Sequence, residues 1–348
     1  MYDGTRGWVR RGPVFPPERG RAWSVVGDPC VVWDDDVPGW RMFLVWDPPG
    51  NGQAICRQPA DAGPGSWEPL GPLAFVNPTA ILGGHAHKPF VVMDPHRPNR
   101  AARVRDRFWL LLVTRGAVGK VVQRAWADRL GGPWHVEAEP VLAPGEAWDG
   151  RHVDAPTGYF FAERQEFLYF YMGYPSEPQR RSSPLGSVQA VAAQGRDEDR
   201  ATKLGVILEP DPRPGHWAGG WLGGLQLLPG TRKLWMGLVN ASPTPPRAED
   251  TAISREEPPP SLAGWASCDL SRPIGGWTLA DAPREWLSDL PSQALAWGEG
   301  ANLWRQHLLA LEGGRWALFY NSGPYGQEDL FLQEWAPTPV AAPASGGA

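Results

Sequence analysis

Two segments far apart in this chain carry one outer-strand pattern: Trp8-Val9-Arg10-Arg11-Gly12-Pro13-Val14 and Trp67-Glu68-Pro69-Leu70-Gly71-Pro72-Leu73. Both read Trp, three residues, Gly-Pro, then an aliphatic residue. The second completes a run of shorter extended segments, whereas no such segment precedes the first. Around them runs a five-fold repeat of short hydrophobic-aromatic strands with a period near fifty residues. Such a period, built from short strands, points to an all-β fold, a β-propeller of five blades. The orphan outer strand predicts a ring closed by pairing the N-terminus with the last repeat.

The first repeat opens at Gly27-Asp28-Pro29 and runs from Cys30 to Trp33, then Trp40–Trp46, Gln53–Arg57 and the Trp67 strand. The second opens at His87-Lys88-Pro89 with Phe90–Met93. It continues after a polar insertion (Asp94–Arg107) as Phe108–Thr114, Lys120–Ala127 and Trp134–Val141. The third opens at Asp154-Ala155-Pro156 and has Thr157–Phe161, Phe167–Met172, Ser187–Ala193 and Lys203–Leu208. The fourth has Leu222–Leu228, Leu234–Asn240, Gly264–Cys268 and Trp277–Leu279, with a Pro-rich loop over Ser242–Leu262. The fifth has Leu303–Leu311, Trp316–Asn321 and Leu330–Trp335, and needs the Trp8 segment as its fourth strand. One propeller over residues 1–336, followed by a disordered tail over 337–348, is the expected organisation.

Gly 42 and Pro 39 suit many turns between short strands, and 42% hydrophobic residues exclude general disorder. A net charge of −5 argues against a nucleic-acid partner, which needs a basic face. No apolar run reaches membrane-spanning length and no signal-peptide core opens the chain, so a cytoplasmic protein with no membrane partner is expected. Cys30, Cys56 and Cys268 have no metal spacing and read as buried free thiols. No phosphate-binding Gly loop, nucleophile elbow or zinc spacing is present. No cofactor is expected beyond an axial structural cation. Asp34-Asp35-Asp36 has the composition of a calcium cluster but sits in a hairpin turn, which favours a solvated turn.

The first strand of each propeller blade lines the channel, so residues at its start converge on one mouth of the ring. Here those starts share a polar residue before proline: Asp28-Pro29, Lys88-Pro89 and, one residue further back, Asp154-Ala155-Pro156. Proline suits the first strand position because it lacks a ladder donor and holds its neighbour extended. One Asp-Pro is an ordinary turn signal. Three equivalent copies point to a site.

On these residues the chain resembles the five-bladed propeller glycosidases of families 43, 32, 62, 68, 117 and 130. Its hairpins Phe167-Leu168-Tyr169-Phe170-Tyr171-Met172 and Trp316-Ala317-Leu318-Phe319-Tyr320-Asn321-Ser322 are also similar to theirs. The resemblance covers nearly the whole chain and is specific to the superfamily rather than to one family. It implies a carbohydrate-metabolism hydrolase acting on a terminal furanoside or pyranoside unit, with a small sugar or oligosaccharide as partner. Asp28 takes the position of the base or nucleophile and Asp154 that of the general acid, its pKa raised by burial or nearby negative charge. Carboxylate separations of about 5–5.5 Å or about 6.5–9.5 Å distinguish retention from inversion.

Two departures accompany this. The third-blade acid is Asp rather than Glu, and the second blade offers His85, His87 and Lys88 where families 43 and 32 place an Asp. His87 is therefore a second candidate acid, with Lys88 tuning Asp28. Lys88, His85, Arg151, His152, Arg305 and His307 are candidate substrate-binding residues. Arg305 could instead pair with Glu299, and His307 could hold water or an axial cation. Trp148, Trp217, Trp221 and Trp304 are candidates for stacking on sugar rings, whereas Trp8, Trp67, Trp134 and Trp277 repeat at the outer-strand position and read as structural. Alternatives are a glycoside phosphorylase or transglycosylase, with phosphate on Lys88, Arg151 and Arg305. A non-catalytic sugar-binding propeller and a protein-interaction propeller are further alternatives.

Overall fold

The computed structural model describes residues 8–16, 25–47, 54–59, 62–175, 186–229, 234–243, 262–282, 303–323 and 327–335. Five antiparallel four-stranded sheets form the blades of a propeller. Blade 1 is β2 (Val25–Asp34), β3 (Gly39–Asp47), β4 (Ala54–Arg57) and β5 (Glu68–Pro72). Blade 2 is β6 (His87–Val91), β7 (Phe108–Arg115), β8 (Lys120–Ala127) and β9 (His135–Leu142). Blade 3 is β10 (His152–Phe161), β11 (Glu166–Tyr174), β12 (Val188–Gly195) and β13 (Thr202–Leu208). Blade 4 is β14 (Trp221–Pro229), β15 (Trp235–Ser242), β16 (Leu262–Cys268) and β17 (Thr278–Leu279).

Blade 5 combines β18 (Arg305–Ala310), β19 (Trp316–Ser322) and β20 (Asp329–Trp335) with β1 (Trp8–Pro13). The ring closes as the sequence predicts. β1 runs antiparallel to β20 with Trp8 opposite Trp335, and its Gly12 follows a bulge. Closure satisfies the edge of β20, which would otherwise present a free ladder. Gln53, residues 244–261 of the expected Pro-rich loop, Glu299 and residues 337–348 of the expected tail lie outside the described residues.

The repeating tryptophans hold the blades to one another. Trp134 of blade 2 is fully buried and meets Phe43 of blade 1 edge-on at 6.0 Å. Trp277 of blade 4 meets Phe170 of blade 3 at 6.3 Å, and Trp67 of blade 1 meets Phe319 of blade 5 at 5.8 Å. Each outer-strand Trp thus packs on an aromatic from the second strand of the preceding blade. Trp8 packs against the cluster containing Leu228 and Leu238 of blade 4, which continues that pattern. Edge-to-face pairs of this kind add attraction beyond the area they bury. Cys30, Cys56 and Cys268 are buried free thiols within these layers.

The polar insertion of blade 2 packs against blades 1, 3 and 5. The Trp33 N–H donates to the Asn99 carbonyl, and Met93 bridges Ala101 and Tyr159. The Asn99 side chain donates to the Leu308 carbonyl and accepts from the Ala310 N–H. Two acidic residues of the first hairpin, Asp35 and Asp36, anchor the same insertion, while Asp34 holds the hairpin turn itself. Asp34 accepts the N–H groups of Asp36 and Val37 and pairs with Arg41. Asp35 pairs with Arg97 and Arg100, and Asp36 with Arg103. The triplet is a turn tied to arginines. Among the described residues no helix is long and apolar enough to cross a membrane.

Candidate active site

The inner strands begin earlier than the sequence reading placed them, and the difference builds the site. Proline does not start these strands. It lies inside a bulge that interrupts pairing between Gly27 and Cys30, His87 and Phe90, and Asp154 and Thr157. Blade 4 carries the same shift between Leu222 and Leu225, with Gly223-Gly224 in place of X-Pro. A bulge is one of the few positions inside a ladder where proline is tolerated, and it re-aims the side chains beside it.

At each X-Pro bulge the residue before proline has positive φ: Asp28 at 51°, Lys88 at 53° and Ala155 at 44°. Proline disfavours the helical region for the residue before it, and left-handed backbone is costly for any residue with a Cβ. Strain repeated in three blades marks one end of the ring as the place where side chains are being aimed.

Two carboxylates meet there in contrasting environments. Asp154 is 1% exposed and fully engaged. Its Oδ1 lies 2.9 Å from Lys88 Nζ and accepts the Ala155 N–H at 2.7 Å, while Oδ2 accepts from Lys120 Nζ at 2.6 Å. Burial pushes its pKa up, but Lys120, Lys88 and His87 outweigh that and hold it well below the usual carboxylate range. Asp154 is thus an ionised clamp on two ammonium groups. The raised pKa expected of a general acid is not found there.

Asp28 is the unengaged carboxylate, buried at 7% exposure. Its backbone N–H donates to Asn321 Oδ1 at 3.3 Å, and Asn321 Nδ2 donates to Glu328 Oε2 at 2.6 Å, which fixes the bulge. The Asp28 side chain has no hydrogen-bond partner among the described residues. Burial raises its pKa against the pull of Lys88 and Arg305, and Asp154 pushes it further up.

Lys88 links the two acids. Burial favours its neutral form, yet Asp154 and Asp28 reverse that and hold it protonated. Lys120 was not singled out in the sequence. It begins the third strand of blade 2, and third strands start at the same mouth as first strands, so strand direction is the signal that would have found it. Burial lowers its pKa, with Lys88 pushing the same way against Asp154, and its side chain remains 37% exposed. Its backbone N–H donates to His152 Nδ1 at 3.1 Å.

That close approach requires glycine. A Cβ at Gly119 would sit 2.2 Å from the Arg151 carbonyl oxygen and 2.4 Å from His152 Nδ1. Gly119→Ala is expected to cost about 2 kcal/mol, as overpacking does, and to displace Lys120. Denaturant midpoints of the variant and parent check this, and equal midpoints would contradict the contact.

The remaining candidates separate clearly. Arg305 is 3% exposed and reaches across the axis from blade 5 to donate Nη2 to the Pro156 carbonyl of blade 3 at 2.7 Å. Its Nη1 is buried without a partner among the described residues. Burial lowers the Arg305 pKa, with Asp28 and Asp154 opposing. His87 is half-buried, and burial together with Lys120 keeps it well below its ordinary pKa. A neutral imidazole is a poor proton donor, so this environment does not favour His87 as an acid. His85 is exposed with its ring 5.9 Å from that of His87, and Arg151 is exposed at the rim.

Two candidates are buried against protein partners. His307 is 1% exposed, meets Asn99 Nδ2 at 3.0 Å through Nε2, and is pushed down to about 3 by burial and Arg305. It is buried beneath Asn99 of the blade 2 insertion. Trp217 is 4% exposed, donates Nε1 to the Ala280 carbonyl at 2.9 Å, and fills the space above Gly264. It is a core residue of blade 4 rather than a stacking platform. Trp148, Trp221 and Trp304 are half-buried. Trp148 donates to Tyr171 and Trp304 to the Gly323 carbonyl.

No family model matches the chain, and no curated protein matches it in sequence. Solved structures do match in shape. A protein described as a glycoside hydrolase superposes with TM-score 0.68 at 13% identity, covering 98% of this chain and 95% of its own. A thermostable family-43 glycoside hydrolase gives 0.63 at 14% identity, covering 94% and 98%. An endo-1,4-beta-xylanase from Bacteroides thetaiotaomicron gives 0.62 at 14% identity, covering 92% and 94%. At these identities the likeness is one of fold: the chain is a five-bladed β-propeller of the architecture those enzymes use.

Proposed function

We propose that this protein is a glycosidase that cleaves a small or terminal sugar unit in the pocket at the bulged mouth of its propeller. The observation that carries this reading is the pairing of unlike carboxylates. One is unengaged with a raised pKa, and one is held ionised between two lysines, on a fold shared with glycoside hydrolases. Carboxyl groups whose environments drive their pKa values apart divide acid work from charge stabilisation.

The geometry favours exchanging the roles that the family resemblance implies. Asp28 has the raised pKa and a free side chain, so it is the group fitted to hand a proton to the leaving oxygen. Asp154 cannot give up a proton it does not hold. It positions Lys88 and Lys120, whose ammonium groups orient the incoming group and the sugar hydroxyls. Half-buried Trp221 and Trp304, at the mouth ends of blades 4 and 5, supply apolar faces for a sugar ring. Turnover of a panel of aryl α- and β-glycosides, furanosides included, tests the reading. Release of the aryl group by the parent supports it, and silence across the panel would count against it.

A further inference from the structure

We infer that the axial pocket holds an oxyanion subsite formed by Lys88, Lys120 and Arg305, so that the protein acts on, or together with, a negatively charged ligand. The inference rests on the reading of this pocket as the substrate site. Three cations, Lys88, Lys120 and Arg305, act on Asp28, and Asp154 is the counter-charge that the two lysines pair with. Both lysines pair with Asp154, at 2.9 and 2.6 Å, and each has further N–H donors. Arg305 gives one nitrogen to Pro156 and leaves Nη1 unpartnered although buried.

An unmatched donor on a buried cation is costly, and so is surplus buried charge; an anion at this point removes both costs. The blade facing Nη1 carries glycine. A Cβ built at Gly224 would lie 3.5 Å from that nitrogen, so the missing side chain leaves the approach open. Lys120, 37% exposed, stands on the wet side of the cluster, where a ligand enters. Arginine and lysine together match the geometry of phosphate and carboxylate groups.

Two sources supply that chemistry. Inorganic phosphate could be the incoming group. One of its oxygens bonds to the anomeric carbon, the glycosidic C–O bond breaks, and the leaving oxygen takes the proton from Asp28. The products are a glycosyl phosphate and an alcohol, and solvent returns a proton to Asp28. In that case no general base is needed, which fits a pocket whose second carboxylate is already engaged. Alternatively the anion is part of the sugar, as in a uronate.

Calorimetric titration at constant ionic strength tests the subsite with three probes: inorganic phosphate, a methyl glucuronide and its neutral methyl glucoside. Phosphate or the glucuronide is expected to bind at least tenfold more tightly than the neutral sugar. Lys120→Met, which keeps the apolar stem, is expected to weaken that binding by roughly tenfold or more. The parent's ranking of the three probes stands on its own should the variant fold poorly.

Cleavage stimulated by phosphate with release of a glycosyl phosphate identifies free phosphate as the ligand. Glucuronide turnover indifferent to phosphate identifies an acidic sugar. Neutral sugars binding while neither anion binds or competes would overturn the subsite and leave the glycosidase reading intact. Anion binding without turnover of any glycoside would support the subsite and remove that reading. No binding by any probe overturns the subsite.

Discussion

Asp154→Asn is expected to lower stability by about 3 kcal/mol, the lower end of the cost of breaking a buried ion pair, because water partly screens Lys120. The amide keeps the shape of the side chain and removes the charge that neutralises Lys88 and Lys120 at 2.9 and 2.6 Å. Denaturant unfolding at constant slope measures the loss. Adding Lys120→Met to Asp154→Asn should recover part of it, since the double variant no longer leaves that ammonium unmatched. A single variant as stable as the parent would show that the clamp is not formed.

The same clamp sets a pH dependence. Asp154 has a depressed folded pKa, so its stabilisation is complete above the ordinary carboxylate range and is lost as pH falls through the folded value. Asp28 has a raised folded pKa, so the folded state binds its proton more tightly, and stability declines as pH climbs from the ordinary value through the raised one.

Asp28→Asn is expected to reduce turnover of unactivated glycosides by roughly 10²- to 10⁴-fold, the range for losing a positioned general acid. In the parent, kcat should fall as pH rises through the elevated Asp28 pKa, whose neighbours are Lys88, Arg305, Asp154 and Lys120. The variant should lose that limb. A variant that retains both rate and limb would remove Asp28 from the chemistry.

Much of the fold was legible because its determinants are local and repeated. Trp-x₃-Gly-Pro at Trp8 and Trp67 marked the outer strands and the closure, and apolar runs such as Phe167–Met172 marked the second strands. The X-Pro pattern marks residues that lie near one another, Lys88 on Asp154 and Asp28 within electrostatic reach of both, but its meaning differed. Proline was read as a strand start, whereas cross-strand register shows a bulge within the strand.

What escaped the sequence depended on neighbours from other blades. Nothing within the chain segment around Asp154 announces that Lys120, 34 positions away, occupies its second oxygen. His307 resembled a channel ligand until Asn99, 208 positions earlier, was seen to cover it. Trp217 sits beside the mouth in sequence, but its indole turns into blade 4 because Gly264 leaves space for it. The balance of charge at the mouth is a property of four blades together, and so the roles of Asp28 and Asp154 could not be read from their motifs.

A leaving-group series most directly tests the central claim that Asp28 donates the proton. Rates for Asp28→Asn and the parent are compared on aryl glycosides whose phenols range from strongly acidic dinitrophenol to unsubstituted phenol. If Asp28 is the acid, the dinitrophenyl glycoside, whose departure needs no proton, stays near the parental rate while the phenyl glycoside loses the full factor. An equal loss across the series would contradict the account and return Asp28 to the role of base or nucleophile that the family resemblance implies.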